Sequence, residues 1–132
     1  MPHVPRIDHI AIGVSDVERS RLFYAVVLAP LGFAERADGK EAPDEEIEFG
    51  AGGLFPFGIS TRPAMTIAPG LHVAFAAERR DQVDAFHAAA LAAGGTDNGA
   101  PGLRPQYSEH YYGAFVLDPD GYNVEAVCKG AG

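Results

Sequence analysis

Ile7-Asp8-His9-Ile10-Ala11-Ile12-Gly13-Val14 is the stretch that decides the fold, because it returns 63 residues later as Leu71-His72-Val73-Ala74-Phe75-Ala76. The same offset relates Phe23 to Phe86, Ala25 to Ala88, Leu28 to Leu91 and Gly32 to Gly95. A repeat this long is one supersecondary unit made twice, not a solenoid period. Ile10 and Ile12 alternate with His9, Ala11 and Gly13, which predicts a strand with a histidine and small residues on one face. His72, Ala74 and Ala76 repeat that face. Two copies related by approximate two-fold symmetry can bring equivalent side chains to one centre, so the histidine pair is a candidate metal site.

Outward from the first strand, Ser15-Asp16-Val17-Glu18 matches a capping box. It predicts a helix carrying Leu22, Phe23, Val26 and Val27 at helical spacing and ending near Pro30-Leu31-Gly32. A strand is expected over Gly32 to Ala37, then a charged turn at Asp38-Gly39-Lys40-Glu41. A third strand carries Ile47 and Phe49, with Glu46 and Glu48 read as its solvated face along with Glu45. Gly50-Ala51-Gly52-Gly53 signals a hairpin into a fourth strand, Leu54 to Ser60, where Pro56 suggests an edge position. The stretch from Arg62-Pro63 to Pro69-Gly70 reads as a linker. The second half restarts at Leu71. An alanine-rich helix over Arg80 to Ala93 places Val83, Phe86, Ala90 and Leu91 inward and stops at Gly94-Gly95. A weak strand near Thr96, a loop from Asn98 to His110, a strand to Leu117, the turn Asp118-Pro119-Asp120-Gly121 and a last strand to Cys128 complete it. Each half thus reads β-α-β-β-β, with module one about 5–62 and module two about 70–129 of a single 1–132 domain.

The chain has 132 residues, 47% hydrophobic and 21% charged, enough for one folded domain. A half of about 60 residues is marginal alone, so the halves should share a core. A net charge of −8 argues against binding nucleic acid or an anionic membrane surface. No apolar run reaches membrane-span length and the N-terminus shows no signal-peptide core. The one cysteine, Cys128, is read as a small buried hydrophobe in a reducing compartment, so a cytoplasmic location is expected.

The last strand holds Glu125 between Val124 and Ala126. A carboxylate in an apolar strand costs several kcal/mol unless it is paired, hydrogen-bonded or bound to a metal. If this strand lies beside the one carrying His72, Glu125 approaches that imidazole, and the repeat adds His9. Two imidazoles and one carboxylate suit a divalent first-row ion: Fe, Zn, Ni or Mn.

The paired modules, the histidine in each first strand and Asp118-Pro119-Asp120-Gly121-Tyr122-Asn123-Val124-Glu125 together resemble the vicinal oxygen chelate superfamily. This group includes glyoxalases, bleomycin-resistance proteins, fosfomycin-resistance transferases and extradiol dioxygenases. The resemblance covers nearly the whole chain. It implies an α+β fold of two curved mixed sheets around a metal-centred cleft, ligated by His9, His72 and Glu125, and a homodimer. The chain departs from the glyoxalase I pattern in one respect. Those enzymes take a fourth, glutamate ligand from the last strand of module one, and Leu54 to Ser60 contains no carboxylate.

The resemblance implies a metal-dependent enzyme that holds a small substrate through its oxygens for isomerisation, transfer or oxygenation. His110, Tyr111 and Tyr112, at the mouth of the long loop, are the candidates for moving a proton or touching substrate. Arg62 and Arg104 are candidates for meeting an anionic group. His87 reads as a helix-packing residue, His3 as a terminal one, and Phe55, Phe57 and Phe115 as core. The rival reading is a metal-free protein that sequesters a small molecule, as bleomycin-resistance relatives do; a third is a structural or regulatory dimer.

Overall fold

The computed structural model describes residues 3–37 and 46–131. The element order is β1 (Ile10–Val14), α1 (Val17–Leu28), β2 (Ala34–Glu35), β3 (Ile47–Ala51), β4 (Leu54–Thr61), β5 (His72–Ala76), α2 (Arg80–Ala92), β6 (Thr96–Leu103), β7 (Tyr112–Leu117) and β8 (Asn123–Cys128). They form two four-stranded sheets ordered β1-β4-β3-β2 and β5-β8-β7-β6. In each, the first strand pairs parallel with the last and the remaining pairs are antiparallel. The β-α-β-β-β reading of both halves and the α+β class therefore hold. The turn read at 38–41, and Glu45, lie outside the described residues.

The alternation expected in the two histidine strands is present. Ile12 and Val14, and Val73 and Phe75, are buried, while Ala11, His72, Ala74 and Ala76 are exposed. The buried residues of both modules form one cluster. At the seam, Phe75 on β5 meets Phe57 on β4 edge to face at 5.1 Å and Phe33 at 5.5 Å. Helix α1 packs on α2. A shared core is what two undersized halves require.

The Asp118-Pro119-Asp120-Gly121 turn acts as a clamp between modules. Tyr24 on α1 donates to Asp118 Oδ2 at 2.6 Å. Asp118 Oδ1 accepts the Asp120 and Tyr122 N–H groups, both at 2.9 Å. Tyr122 donates its hydroxyl to the Gly13 carbonyl at 2.6 Å. Asp120 accepts from the Ser15 hydroxyl and backbone N–H and from Arg19. The signature that resembles a functional motif is thus a fold-closing one, and only its last residue, Glu125, enters the site described below.

Several local expectations change. Asp16, not Ser15, caps α1, accepting from the Arg19 N–H at 3.1 Å, because Ser15 is committed to Asp120. On α1, Leu22 is 62% and Val26 50% exposed, and the inward set is Ser20, Phe23, Tyr24, Val27 and Leu28. On α2, Leu91 is also exposed. Pro56 lies in an interior strand, yet it disturbs no ladder. β1 pairing begins one residue later, at Ile10 with Phe57, and β3 is bulged between Phe49 and Ala51. The β3–β4 hairpin turns at Gly52 and Gly53, with φ of 62° and 80°, the pair of positive angles a two-residue turn needs. The segment from Asn98 was expected as loop, but β6 runs to Leu103. Its register shifts between Asp97 and Gly99 and again between Gly99 and Gly102.

Candidate functional site

Strand β8 runs between β5 and β7, with Glu125 opposite Ala74 on one side and Phe115 on the other. Cross-strand partners share a face, so Glu125, Ala74, Phe115 and His72, two residues from Ala74, point the same way. His72 Nε2 lies 3.2 Å from Glu125 Oε1. The Tyr111 hydroxyl donates to Glu125 Oε2. Gly113 makes room for that contact: a Cβ there would sit 3.1 Å from both Glu125 Oε2 and Tyr111 Cε1. Glu125 is 0% exposed, and both carboxylate oxygens have partners, which is how the apolar strand tolerates it. Burial, reinforced by the bond to Glu125, pushes the Tyr111 phenol above its ordinary value, so it stays a protonated donor.

The two alternating sets of β7 separate cleanly. Tyr111, Gly113 and Phe115 face Glu125, while Ala114 and Val116 are fully buried in the core. Tyr112 belongs to the second set: it donates to Asp84 on α2 at 2.6 Å, and Arg80 lies over its ring at 5.3 Å. It therefore stands on the opposite side of the sheet from Glu125. His110 is exposed, 3.8 Å from Glu109, and does not line the cleft. Of the three candidates for proton transfer, Tyr111 alone reaches the site.

The cleft has a volume of about 480 Å³ and is lined by His72, Glu125, Tyr111, Tyr107, Ser108, Phe115 and Lys129. Tyr107 packs edge-on against Tyr111 at 5.0 Å, and the Lys129 ammonium lies 5.8 Å from the Tyr111 ring centre. Phe115 is cleft wall rather than core, with Arg104 over its ring at 5.7 Å. Tyr107, Ser108 and Lys129 were not expected from the sequence. The nearest signal was the length of the loop before β7 and the position of Lys129 just past the strand that carries Glu125. Arg62 bonds the Thr61 carbonyl and lies against Gly13, so it serves the β4 exit, not the cleft. His87 bonds Asp97 at 2.9 Å and holds that carboxyl below its usual range. Cys128 is buried.

His9 is elsewhere in the chain. It accompanies a second cavity, of about 500 Å³, on the sheet of module one with Arg36, Glu48 and Phe55. Its Nδ1 lies 2.8 Å from Asp8, and that hydrogen bond raises its pKa above 6.5. The structure thus brings His72 and Glu125 together and leaves His9 apart. Among the described residues, no three His, Cys, Asp or Glu side chains of one chain converge to hold an ion.

The module-two pair nevertheless suits a metal. Bonds of about 2.1 Å place adjacent donors roughly 3.0–3.4 Å apart in octahedral or tetrahedral geometry. The 3.2 Å between His72 Nε2 and Glu125 Oε1 falls within that range. An imidazole and a carboxylate held by a further hydrogen bond are the donors and the support such ions use.

The profile of the Glyoxalase/Bleomycin resistance protein/Dioxygenase superfamily matches residues 6–126. The chain belongs to this superfamily. A glyoxalase/bleomycin resistance protein from Albidiferax ferrireducens T118 is 34% identical, with a TM-score of 0.76 over 93% of this chain and 98% of that one. The fold also matches a family enzyme from Burkholderia phytofirmans PsJN, with 20% identity and a TM-score of 0.71 over 96% and 100% of the two chains. It matches the fosfomycin resistance protein FosX from Listeria monocytogenes, with 17% identity and a TM-score of 0.69 over 97% and 96%. No curated protein sequence matches the chain. No helix among the described residues is long and apolar enough to cross a membrane.

Proposed function

We propose that the protein is a metal-dependent enzyme of the glyoxalase/dioxygenase type, acting on a small substrate that presents one or two oxygens. The observation that carries this is Glu125, buried in an apolar strand and held between His72 and Tyr111 at the floor of an open cleft. His72 and Glu125 would hold a divalent ion, and His9 of a second copy would complete the set. Each chain carries the two parts on separate sheets, so a homodimer can assemble them where a monomer does not. Fe, Zn, Ni and Mn all suit these donors.

Held there, such an ion would supply Lewis-acid stabilisation of negative charge on a substrate oxygen. The chain's own residues do the rest. Tyr111 fixes Glu125 through Oε2, which leaves Oε1 turned toward His72. Its hydroxyl donates to Glu125, which suits it to hold a proton rather than to remove one. Tyr107 and Phe115 supply aromatic walls, and Lys129 puts a positive charge beside the cleft, suited to a substrate with an anionic oxygen. The arrangement suits isomerisation, transfer or oxygenation of such a substrate.

The rival reading is a metal-free binding protein, in which His72 and Glu125 would keep their hydrogen bond to each other. Metal analysis of tag-free protein after reconstitution separates the two. The enzyme reading expects close to one equivalent per chain. Under about 0.1 equivalent, with small-molecule binding unchanged in His72→Ala, would leave the binder.

A further inference from the structure

In module one the backbone position equivalent to Glu125 is a glycine, and a carboxylate from the residue just ahead of β3 lies over it. In module two, Glu125 on β8 pairs with Ala74 on β5. In module one, Gly58 on β4 pairs with Ala11 on β1. Ala11 and Ala74 are repeat equivalents, so Gly58 is the counterpart of Glu125. That position is not empty. A Cβ built on Gly58 would fall within the Glu46 carboxylate, and even Glu46 Cγ lies 3.1 Å from the same point. Glu46, just ahead of β3, lays its side chain across β4 in the space an ordinary β4 residue would occupy.

Its neighbour behaves differently. Glu48 is committed to Arg36, at 2.7 Å. Glu46 makes no hydrogen bond or ion pair with the described residues, yet it and Glu48 both act electrostatically on His9. Both glutamates, read from the sequence as a solvated strand face, are half-buried: Glu48 is paired, and Glu46 lies over Gly58 on the histidine side of the sheet.

We propose that Glu46 is the module-one counterpart of Glu125, a second carboxylate donor beside His9 for the divalent ion of the composite site. Gly58 is its necessary complement, because a larger residue there would displace the carboxylate. The inference rests on the metal-centre reading above. It raises the donor set to two imidazoles and two carboxylates, and it shifts preference toward ions that accept oxygen ligands readily.

The test is Co²⁺ affinity of the full-length protein, measured by competition with a chromophoric chelator, which needs no substrate. Glu46→Gln is expected to weaken binding by about tenfold or more, with Glu48→Gln within about twofold of the parent. Moving the carboxylate back to the strand, as Glu46→Ala with Gly58→Glu, is expected to recover most of what Glu46→Ala loses. Unchanged affinity in Glu46→Gln overturns the proposal, as does a double variant that melts like the parent but recovers nothing. A parent protein that binds no Co²⁺ overturns the metal-centre reading itself, and this inference with it.

Discussion

In module two, the strand paired with the histidine strand carries Glu125 opposite Ala74; in module one, the same position, opposite Ala11, is Gly58. The two sheets share their strand order, parallel first and last strands, and an open face of small residues beside a histidine. The difference shows what duplication preserves. Register and burial are retained because each sheet must cover the same core. The open face is free to diverge, so one copy builds a carboxylate, imidazole and phenol into a fixed cluster and the other leaves a glycine. Function in such a fold lies in the asymmetry of the copies, and the symmetry only places them.

The largest effect should come from breaking the module-two cluster. Glu125→Gln is expected to lower metal affinity by more than about 100-fold, read by chelator competition, because it removes a donor and its charge together. Next, Phe57→Ala asks whether the modules are two bodies or one. Truncating this buried ring at the seam is expected to cost about 3–5 kcal/mol and to lower a single cooperative transition in denaturant. Two separate transitions would show that the modules unfold independently.

Tyr111→Phe sharpens the contrast by freeing Glu125 Oε2 while leaving both donors in place. Metal affinity should fall about tenfold, the scale of an outer-shell partner. Tyr24, buried against Asp118, provides a pH test of the clamp. Its pKa is raised well above 10.0, first by burial and then by the charge of Asp118. The unfolded phenol ionises first as pH rises past its ordinary value, so the stabilisation is complete below that pH and is lost above it. Stability should fall by up to about 1.4 kcal/mol per pH unit from this group, a slope that Tyr24→Phe should reduce in alkaline denaturant titrations. Tyr122→Phe is the mildest, removing one bond from module two to the Gly13 carbonyl at about 1 kcal/mol.

The repeat, the two β-α-β-β-β modules and the His72–Glu125 contact were legible because they rest on periodicity and on one expensive buried charge. What failed was of a different kind. Ser15 fits a capping box, but its hydroxyl goes to Asp120, 105 residues away, which no local pattern reveals. β6 was obscured because Gly99, Pro101 and Gly102 erase alternation, and the strand tolerates them through register shifts. The face of β7 was ambiguous because both alternating sets are aromatic at one end. The burial of Ala114 and Val116 and the bonds of Tyr111 to Glu125 and Tyr112 to Asp84 decide it. The repeat pairs His9 with His72, but symmetry between modules does not say whether equivalent faces meet within one chain or between two.

That last point is tested most directly by complementation. His9→Ala and Glu125→Ala variants, each purified without metal, are mixed after reversible dissociation and titrated with Co²⁺. If His9 of one copy serves His72 and Glu125 of the other, half of randomly paired dimers contain one intact site, and about a quarter of parental high-affinity binding returns. If mixing restores no binding while the parent protein binds normally, the composite site across two copies is contradicted.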